Sequence, residues 1–389
     1  MNWVEQEKSV VFQTYKRFPL FIARGHGVWV WDEKDNQYLD FLSGIAVNAL
    51  GHCHPALVQA MTIQAKTISH TSNLYYTRPM IELAGKLAEL SGLDKVFYAN
   101  SGAEANEAAI KLARKFHPDK NEIITCEQSF HGRTLATITA TGQPKYQQGF
   151  EPLVPGFKYI PYNNPEALEA AITPKTAAFM VEPIQGEGGV CVPAADYLAK
   201  VREICDRYEI LLILDEVQTG CGRTGKFFCY EHSEIKPDIV TLAKALGGGL
   251  PLGVCIASDK AASGFTFGDH ASTFGGNPIA CAVALAFIEI IEKEDLLTNC
   301  AKMGEYARNQ LTSGLKNSAI VKDVRGMGLM VGIELTEPIG GEIVGKCLEG
   351  GLLLATAGPN VVRMLPPYII SKRHIDQACD VLAPILNEY

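Results

Sequence analysis

The chain has 389 residues, 47% of them hydrophobic and 20% charged, with a formal net charge of -8. That is globular composition, long enough for a large core and two structural domains. Acidic and basic residues are mixed without a basic block, which argues against a nucleic-acid partner and leaves any anionic ligand to particular arginines.

The N-terminus, "MNWVEQEKSVVFQTYKRF", lacks an apolar core followed by small residues, so it does not read as a secretory signal. Eleven cysteines are scattered without a C-x-x-C pair, as in a reduced cytoplasmic protein. From Gly27, "GVWVWDEKDNQYLDF" alternates like half-exposed strands. His52 and His54 have the spacing of some metal sites, but no further His/Asp set completes a shell, and a turn before a helix at Pro55 is expected. Short aliphatic runs follow: "KVFYA" (Lys95), "EIITC" (Glu122), "AAFMVE" (Ala177), "ILLILDEV" (Ile210), "DIVTLAK" (Asp238) and "GVCIAS" (Gly253). Such runs are buried on both faces, as in a parallel sheet covered by helices. Between the first two lies a helix from Glu104 to Phe116 with one apolar stripe. The helical stretch from Ala280, "ACAVALAFIEII", is too short to span a bilayer and carries Glu289, so it predicts a buried helix and no membrane partner. From Met327, "MGLMVGIEL" alternates again. The layout is α/β, a large domain with a mainly parallel central sheet plus a smaller α+β domain from both chain ends. The expected division is 1–50 for the N-terminal part of the small domain, 51–289 for the large domain and 290–389 for the C-terminal part.

"LLILDEVQTGCGRTGKF", from Leu211, poses a question of its own. Asp215 and Glu216 end an apolar strand, and Gly220 to Lys226 fits the spacing of a phosphate loop. Phe227 stands where such a loop needs Ser or Thr for Mg²⁺, and no helix can begin at Lys226. A nucleotide hydrolase is disfavoured, and a glycine-rich surface turn is expected there. Ligands of open α/β sheets sit beyond the carboxyl ends of the strands. Asp215 lies at such an end, and so does Lys244, which closes "DIVTLAK". A third strand end carries Ser101, Gly102 and Ala103 before the striped helix, a seat for a phosphate made of free N–H groups and the helix dipole. A phosphate seat, a strand-end acid and a strand-end lysine suit one cofactor, pyridoxal 5′-phosphate. Its aldehyde needs a lysine, its ring nitrogen a carboxylate, and its phosphate backbone donors.

With these residues in place, the chain resembles the class III (ω-amino) aminotransferases of fold type I, and among them most closely the branch that acts on acetylornithine. The likeness runs through "GIAVNALGHCHP" (Gly44), "NSGAEANEAAIKLAR" (Asn100), "FHGRT" (Phe130), "VEPIQGEGGV" (Val181), "LDEVQTGCGRTG" (Leu214), "AKALGGGLPLG" (Ala243), "STFGGNP" (Ser272), "VRGMGLMVGIEL" (Val324) and "ATAGPNVVRMLPPYII" (Ala355), in one order along nearly the whole chain. The resemblance implies that Lys244 binds the cofactor and shuttles the proton once substrate displaces it. It implies that Asp215 pairs with the ring N–H, and that Val217 and Phe130 flank the ring. Gln218 would lie near the ring hydroxyl, and Glu216 would stand among the cofactor-binding residues. Ser101, Gly102 and Ala103 would hold the phosphate with Thr273 of a partner subunit, which implies a homodimer with shared active sites. Arg133, with Ser272 nearby, resembles the residue that holds the α-carboxylate of acetylornithine. Arg363 resembles the arginine that clamps 2-oxoglutarate, and Glu187 would neutralise it when the amino donor binds. The implied reaction moves the terminal amine of N-acetylornithine to 2-oxoglutarate, in arginine biosynthesis. Ornithine, succinylornithine and 4-aminobutyrate stay open as donors. Two positions depart from common family patterns. Ala103 stands where many relatives have Thr, and Trp29 stands where ornithine-specific relatives use a tyrosine.

Overall fold

The apolar runs become the strands of one seven-stranded sheet in the computed structural model, which describes residues 3–389. In chain order these are β1 (Lys95–Ala99), β2 (Glu122–Cys126), β3 (Phe157–Ile160), β4 (Thr176–Val181), β5 (Leu211–Asp215), β6 (Ile239–Leu242) and β7 (Gly253–Ala257). They lie in the order β1-β7-β6-β5-β4-β2-β3. Only β7 runs antiparallel to its neighbours. The edge strand β3 has no counterpart among the predicted runs. Its sequence "FKYI" is half polar because a sheet edge needs less cover, and Tyr159 is exposed.

β4 to β7 are buried at every position, which is why they read as unbroken apolar runs. Successive side chains still point to opposite faces. Leu212, Leu214, Val240 and Leu242 enter one core. Leu211, Ile213 and Ile239 enter the other, against Ala108, Ala109 and Leu112 of the helix Gly102–Phe116. Each such aliphatic side chain contributes about 1.5–3 kcal/mol when fully buried. By the same alternation Asp215 belongs to the face of that helix.

The two chain ends build two smaller sheets. The strands Ile22–His26, Trp29–Asp32 and Gln37–Asp40 are joined by Leu352–Leu353, parallel to the third of them. Val321–Met327, Met330–Leu335, Val361–Met364 and Ala355–Thr356 form an antiparallel sheet in that order. The strand Met330–Leu335 corrects the half-exposed reading. Five of its six residues are buried, because both faces are covered: Val331, Ile333 and Leu335 enter the main core, while Met330 packs in a second cluster with Val190 and Leu365.

Gly220–Lys226 is a second correction. No helix starts at Lys226, but Gly220 to Thr224 are buried rather than on the surface. Arg223 is 0% exposed, donates from Nη1 to the carbonyls of Leu329 (3.1 Å) and Pro366 (2.5 Å), and lies 4.6 Å from the Tyr368 ring centre. Those partners lie over a hundred residues downstream, so nothing local marks the turn as interior. His52 uses Nε2 on the Asp40 carboxylate at 2.7 Å. The helix Pro278–Lys293 packs on the helices Pro55–Thr67 and Arg78–Ser91, and no helix among the described residues is long and apolar enough to cross a membrane.

Candidate active site

The strand ends of β1, β2, β4, β5 and β6 converge on a cavity of about 480 Å³ at the carboxyl edge of the sheet. Asp215 forms part of its lining. Its Oδ2 accepts from Asn106 Nδ2 at 2.7 Å and lies 2.8 Å from His131 Nδ1, while Oδ1 accepts from the Val217 N–H at 3.0 Å. Asn106 is itself fixed. It donates to the His131 carbonyl at 2.8 Å and accepts from Thr241 Oγ1 at 2.7 Å. Three donors thus surround one buried carboxylate and aim it.

Lys244 is not the end of β6, as its run suggests, but lies two residues beyond it. It opens a short 3₁₀ turn at φ 44°, a left-handed conformation that costs a non-glycine residue strain. Among the described residues its amine has no hydrogen-bond or ion-pair partner. Burial pushes the ammonium below its usual range. The Glu187 carboxylate opposes that shift and the Arg363 guanidinium adds to it. An amine so placed sheds its proton readily and becomes a nucleophile.

The third strand end behaves as a helix cap. Ser101 Oγ accepts from the Glu104 N–H at 3.2 Å, and the helix starts at Gly102. Gly102 and Ala103 line the cavity, and first-turn N–H groups have no intrahelical acceptor. A Cβ on Gly102 would stand 2.7 Å from Val217 Cγ1, so glycine is what lets this helix end close over β5.

Phe130 and Val217 also line the cavity, with Gln218 and Glu187. Arg133 stands exposed at its wall, its guanidinium 4.0 Å from the Tyr146 ring centre and 5.6 Å from that of Phe130. Arg363 lies behind the wall, 2% exposed, donating from Nη1 to Glu187 Oε1 at 2.6 Å and to Gln218 Oε1 at 3.1 Å. Burial alone would raise the Glu187 pKa, but Arg363 and Lys244 hold it below the usual carboxylate range.

Of the expected residues, Glu216, Ser272 and Arg363 do not line this cavity, nor does Thr273, which is expected at the cavity of a partner subunit. Glu216 is a correction. Its carboxylate accepts from the N–H groups of Cys229 (2.7 Å) and Tyr230 (2.9 Å), because the residue after Asp215 turns to the opposite side of the chain. Burial pushes it up to about 8. Ser272 and Thr273 line a separate hollow beside Asn73, and Ser272 Oγ touches the cavity only through Asn100 Nδ2 at 3.2 Å. Trp29 packs edge-on to His374, away from the cavity.

Three site residues escaped the sequence reading. Asn106 is a lone amide in the stripe of Ala105, Ala108 and Ala109, and a polar residue at a core position was a usable signal. His131 stood unremarked beside Phe130. Glu182 follows β4 and accepts from the N–H groups of Phe130 (2.9 Å) and Gly186 (3.1 Å). Burial and the nearby Asp215 raise its pKa, against the pull of His131. It ends an apolar strand just as Asp215 does, and the same argument would have found it.

An unpartnered ammonium, an oriented acid and the free amides of a helix start suit pyridoxal 5′-phosphate. The volume lies within the roughly 300–1,000 Å³ of small-molecule sites. The sequence pattern of the family "Aminotransferase class-III" matches residues 10–386. The chain belongs to that family. Class-III aminotransferases are pyridoxal-phosphate-dependent enzymes of fold type I, and the mainly parallel sheet seen here is theirs. Among similar members, the acetylornithine aminotransferase of Methanocaldococcus jannaschii is 51% identical over 392 residues, covering 100% of this chain and 98% of that protein. That of Caldanaerobacter subterraneus subsp. tengcongensis is 51% identical and covers 99% of each. Among similar solved structures, the ornithine aminotransferase of Toxoplasma gondii superposes with a TM-score of 0.95 at 34% identity, covering 99% of this chain and 94% of that one. The acetylornithine aminotransferase of Elizabethkingia anophelis does so with 0.89 at 35%, covering 100% and 98%.

Proposed function

We propose that this aminotransferase moves the terminal amine of N-acetylornithine to 2-oxoglutarate, giving an N-acetylglutamate semialdehyde and glutamate, as a cytoplasmic step of arginine biosynthesis. The observation that carries the reading is the Glu187–Arg363 pair beside an unpartnered Lys244. It offers one pocket two states, one with the guanidinium neutralised and one with it bare. The full-length relatives at 51% identity support the choice of donor.

When bound, pyridoxal 5′-phosphate supplies a ring that accepts the electrons left on the substrate carbon. Gly102 and Ala103 would hold its phosphate through backbone N–H groups, with Ser101 capping the same helix and the partner subunit's Thr273 as a further donor. Ala103 has no hydroxyl to add, so the amides and the helix dipole must suffice. Asp215, steadied by Asn106 and His131, would hold a proton at the ring nitrogen. Phe130, Val217 and Gln218 line the same cavity, where Phe130 and Val217 would flank the ring and Gln218 would bind near its hydroxyl. Lys244 Nζ takes the proton from the amine-bearing carbon of the substrate. Arg133, exposed at the cavity wall, would hold the α-carboxylate of the amino donor while Glu187 covers Arg363. With 2-oxoglutarate, Glu187 swings off and Arg363 takes the α-carboxylate in a two-point contact.

The same reading keeps the division at 1–50, 51–289 and 290–389 and makes the enzyme a homodimer. Its support is an apolar surface beside Ser272 and Thr273. Leu74, which lines the hollow with Ser272 and Thr273, and the chain neighbours Tyr75, Tyr76 and Phe274 are all exposed, Tyr76 to 91%, and apolar side chains so exposed suit a covering partner.

The choice of donor is tested by single-turnover loss of the visible absorbance of the loaded protein with N-acetylornithine, ornithine, succinylornithine and 4-aminobutyrate. N-acetylornithine should give the highest kcat/KM. A higher value for another amine overturns the assignment of donor. A colourless protein that turns over only with a nucleotide or metal overturns the reaction class.

A further inference from the structure

We propose that Arg325 and Gly332 form, together with Arg363, a seat that holds the Glu187 loop and so sets how firmly Glu187 masks Arg363. This rests on the switching role given to Glu187 above. Arg325 pairs with Gly332 across the first two strands of the C-terminal antiparallel sheet, and Gly332 pairs with Arg363 across the next two. Residues directly opposite one another share a face, so the three make one row with a gap between two arginines.

Residues 185–191 lie over that row. Arg363 Nη1 takes Glu187 Oε1 at 2.6 Å. Two and three residues later, Arg325 Nη2 donates to the Gly189 carbonyl at 2.7 Å and Nε to the Val190 carbonyl at 3.0 Å. Between the arginines a Cβ on Gly332 would stand 2.9 Å from Val190 Cβ, so glycine is what makes room for the loop. Val190 is fully buried at φ 52°, a conformation that a β-branched residue keeps only when its surroundings over-determine it. Asp323, at 3.2 Å, and Glu334 hold the Arg325 guanidinium in place. Gln185 and Cys191 close the base of the loop with two backbone hydrogen bonds of 3.2 and 3.0 Å. With the base and residues 189 and 190 pinned, Glu187 can leave Arg363 only by rotating its side chain, and it returns to the same place. Arg325 touches no reacting atom, so it is a positioning residue.

A loosened loop leaves Arg363 bare for more of the time, and a bare guanidinium captures the amino donor by its carboxylate, in the wrong orientation. Both half-reactions of the holoenzyme are to be measured by single turnover. Arg325→Gln and Gly332→Ala should each lower kcat/KM of the amine half about tenfold and change the 2-oxoglutarate half by less than about twofold. Arg325→Lys keeps the acidic contacts but cannot reach both carbonyls with one planar group, and should fall between. In a Glu187→Gln background Arg325→Gln should add nothing. Equal losses in the two halves, or full additivity with Glu187→Gln, overturn the proposal. Amide hydrogen exchange over residues 186–191 separates it from the reading beneath it. Exchange there should quicken in Arg325→Gln whatever Glu187→Gln does, and unchanged exchange overturns the seat. An amine half left intact by Glu187→Gln sinks the switching role instead. If Arg325→Gln does not fold, Gly332→Ala and Arg325→Lys give the same comparisons.

Discussion

Lys244→Ala leaves a folded protein whose turnover falls at least about 10⁴-fold, because one side chain serves as both nucleophile and proton carrier. The fold survives because the amine has no partner to lose among the described residues. The left-handed backbone at this position is no worse for alanine than for lysine. Stability changes with a definite sign. Burial lowers the Lys244 pKa below its unfolded value. A group shifted that way costs stability in full below its folded pKa, the cost fades as pH rises toward the unfolded pKa, where the unfolded chain binds the proton more readily, and it is gone above that value. Alanine removes the cost, so at neutral pH the cofactor-free variant should melt no lower than the cofactor-free parent. Turnover above about 1% of the parent would take the proton-carrying role away from Lys244.

Asp215→Asn has the second largest expected effect, a loss of about 10²–10⁴-fold in turnover with the cofactor still bound. An amide cannot hold a proton at a ring nitrogen as a carboxylate does. The site is also built for an acceptor at both oxygens. Oδ2 faces Asn106 and His131, and Oδ1 faces the Val217 N–H. The amide NH₂ must meet a donor in either orientation, which should cost about 1–3 kcal/mol of stability for one unmet buried group. Steady-state turnover and a melting curve check both halves of the prediction. Turnover within about threefold of the parent would mean that ring protonation does not depend on Asp215.

The sequence shows the architecture where burial is two-sided. β4 to β7 stand out because both faces are covered, whereas β3 escapes because an edge strand can be half polar. Lys244 and Asp215 were legible as charges closing apolar strands, and Glu182 obeyed the same rule unread. Asn106 was legible as an amide in an apolar stripe, but its partner Asp215 is 109 residues away. What no local pattern carries is register. Arg325, Gly332 and Arg363 form one row only because three strands align in one way, and Arg223 is interior only because Leu329 and Pro366 come to meet it. Glu216, implied by the resemblance as a cofactor-binding residue, instead turns to the N–H groups of Cys229 and Tyr230, because successive side chains at a strand end point to opposite sides.

The most direct test of the site is borohydride reduction of the purified, pyridoxal-phosphate-loaded protein, followed by mass mapping of its peptides. The expected result is a phosphopyridoxyl group on Lys244 and on no other lysine, with the modification absent from Lys244→Ala. Modification of a different lysine, or none at all, would contradict the convergence of Lys244, Asp215 and the Gly102 helix start on one cofactor ring.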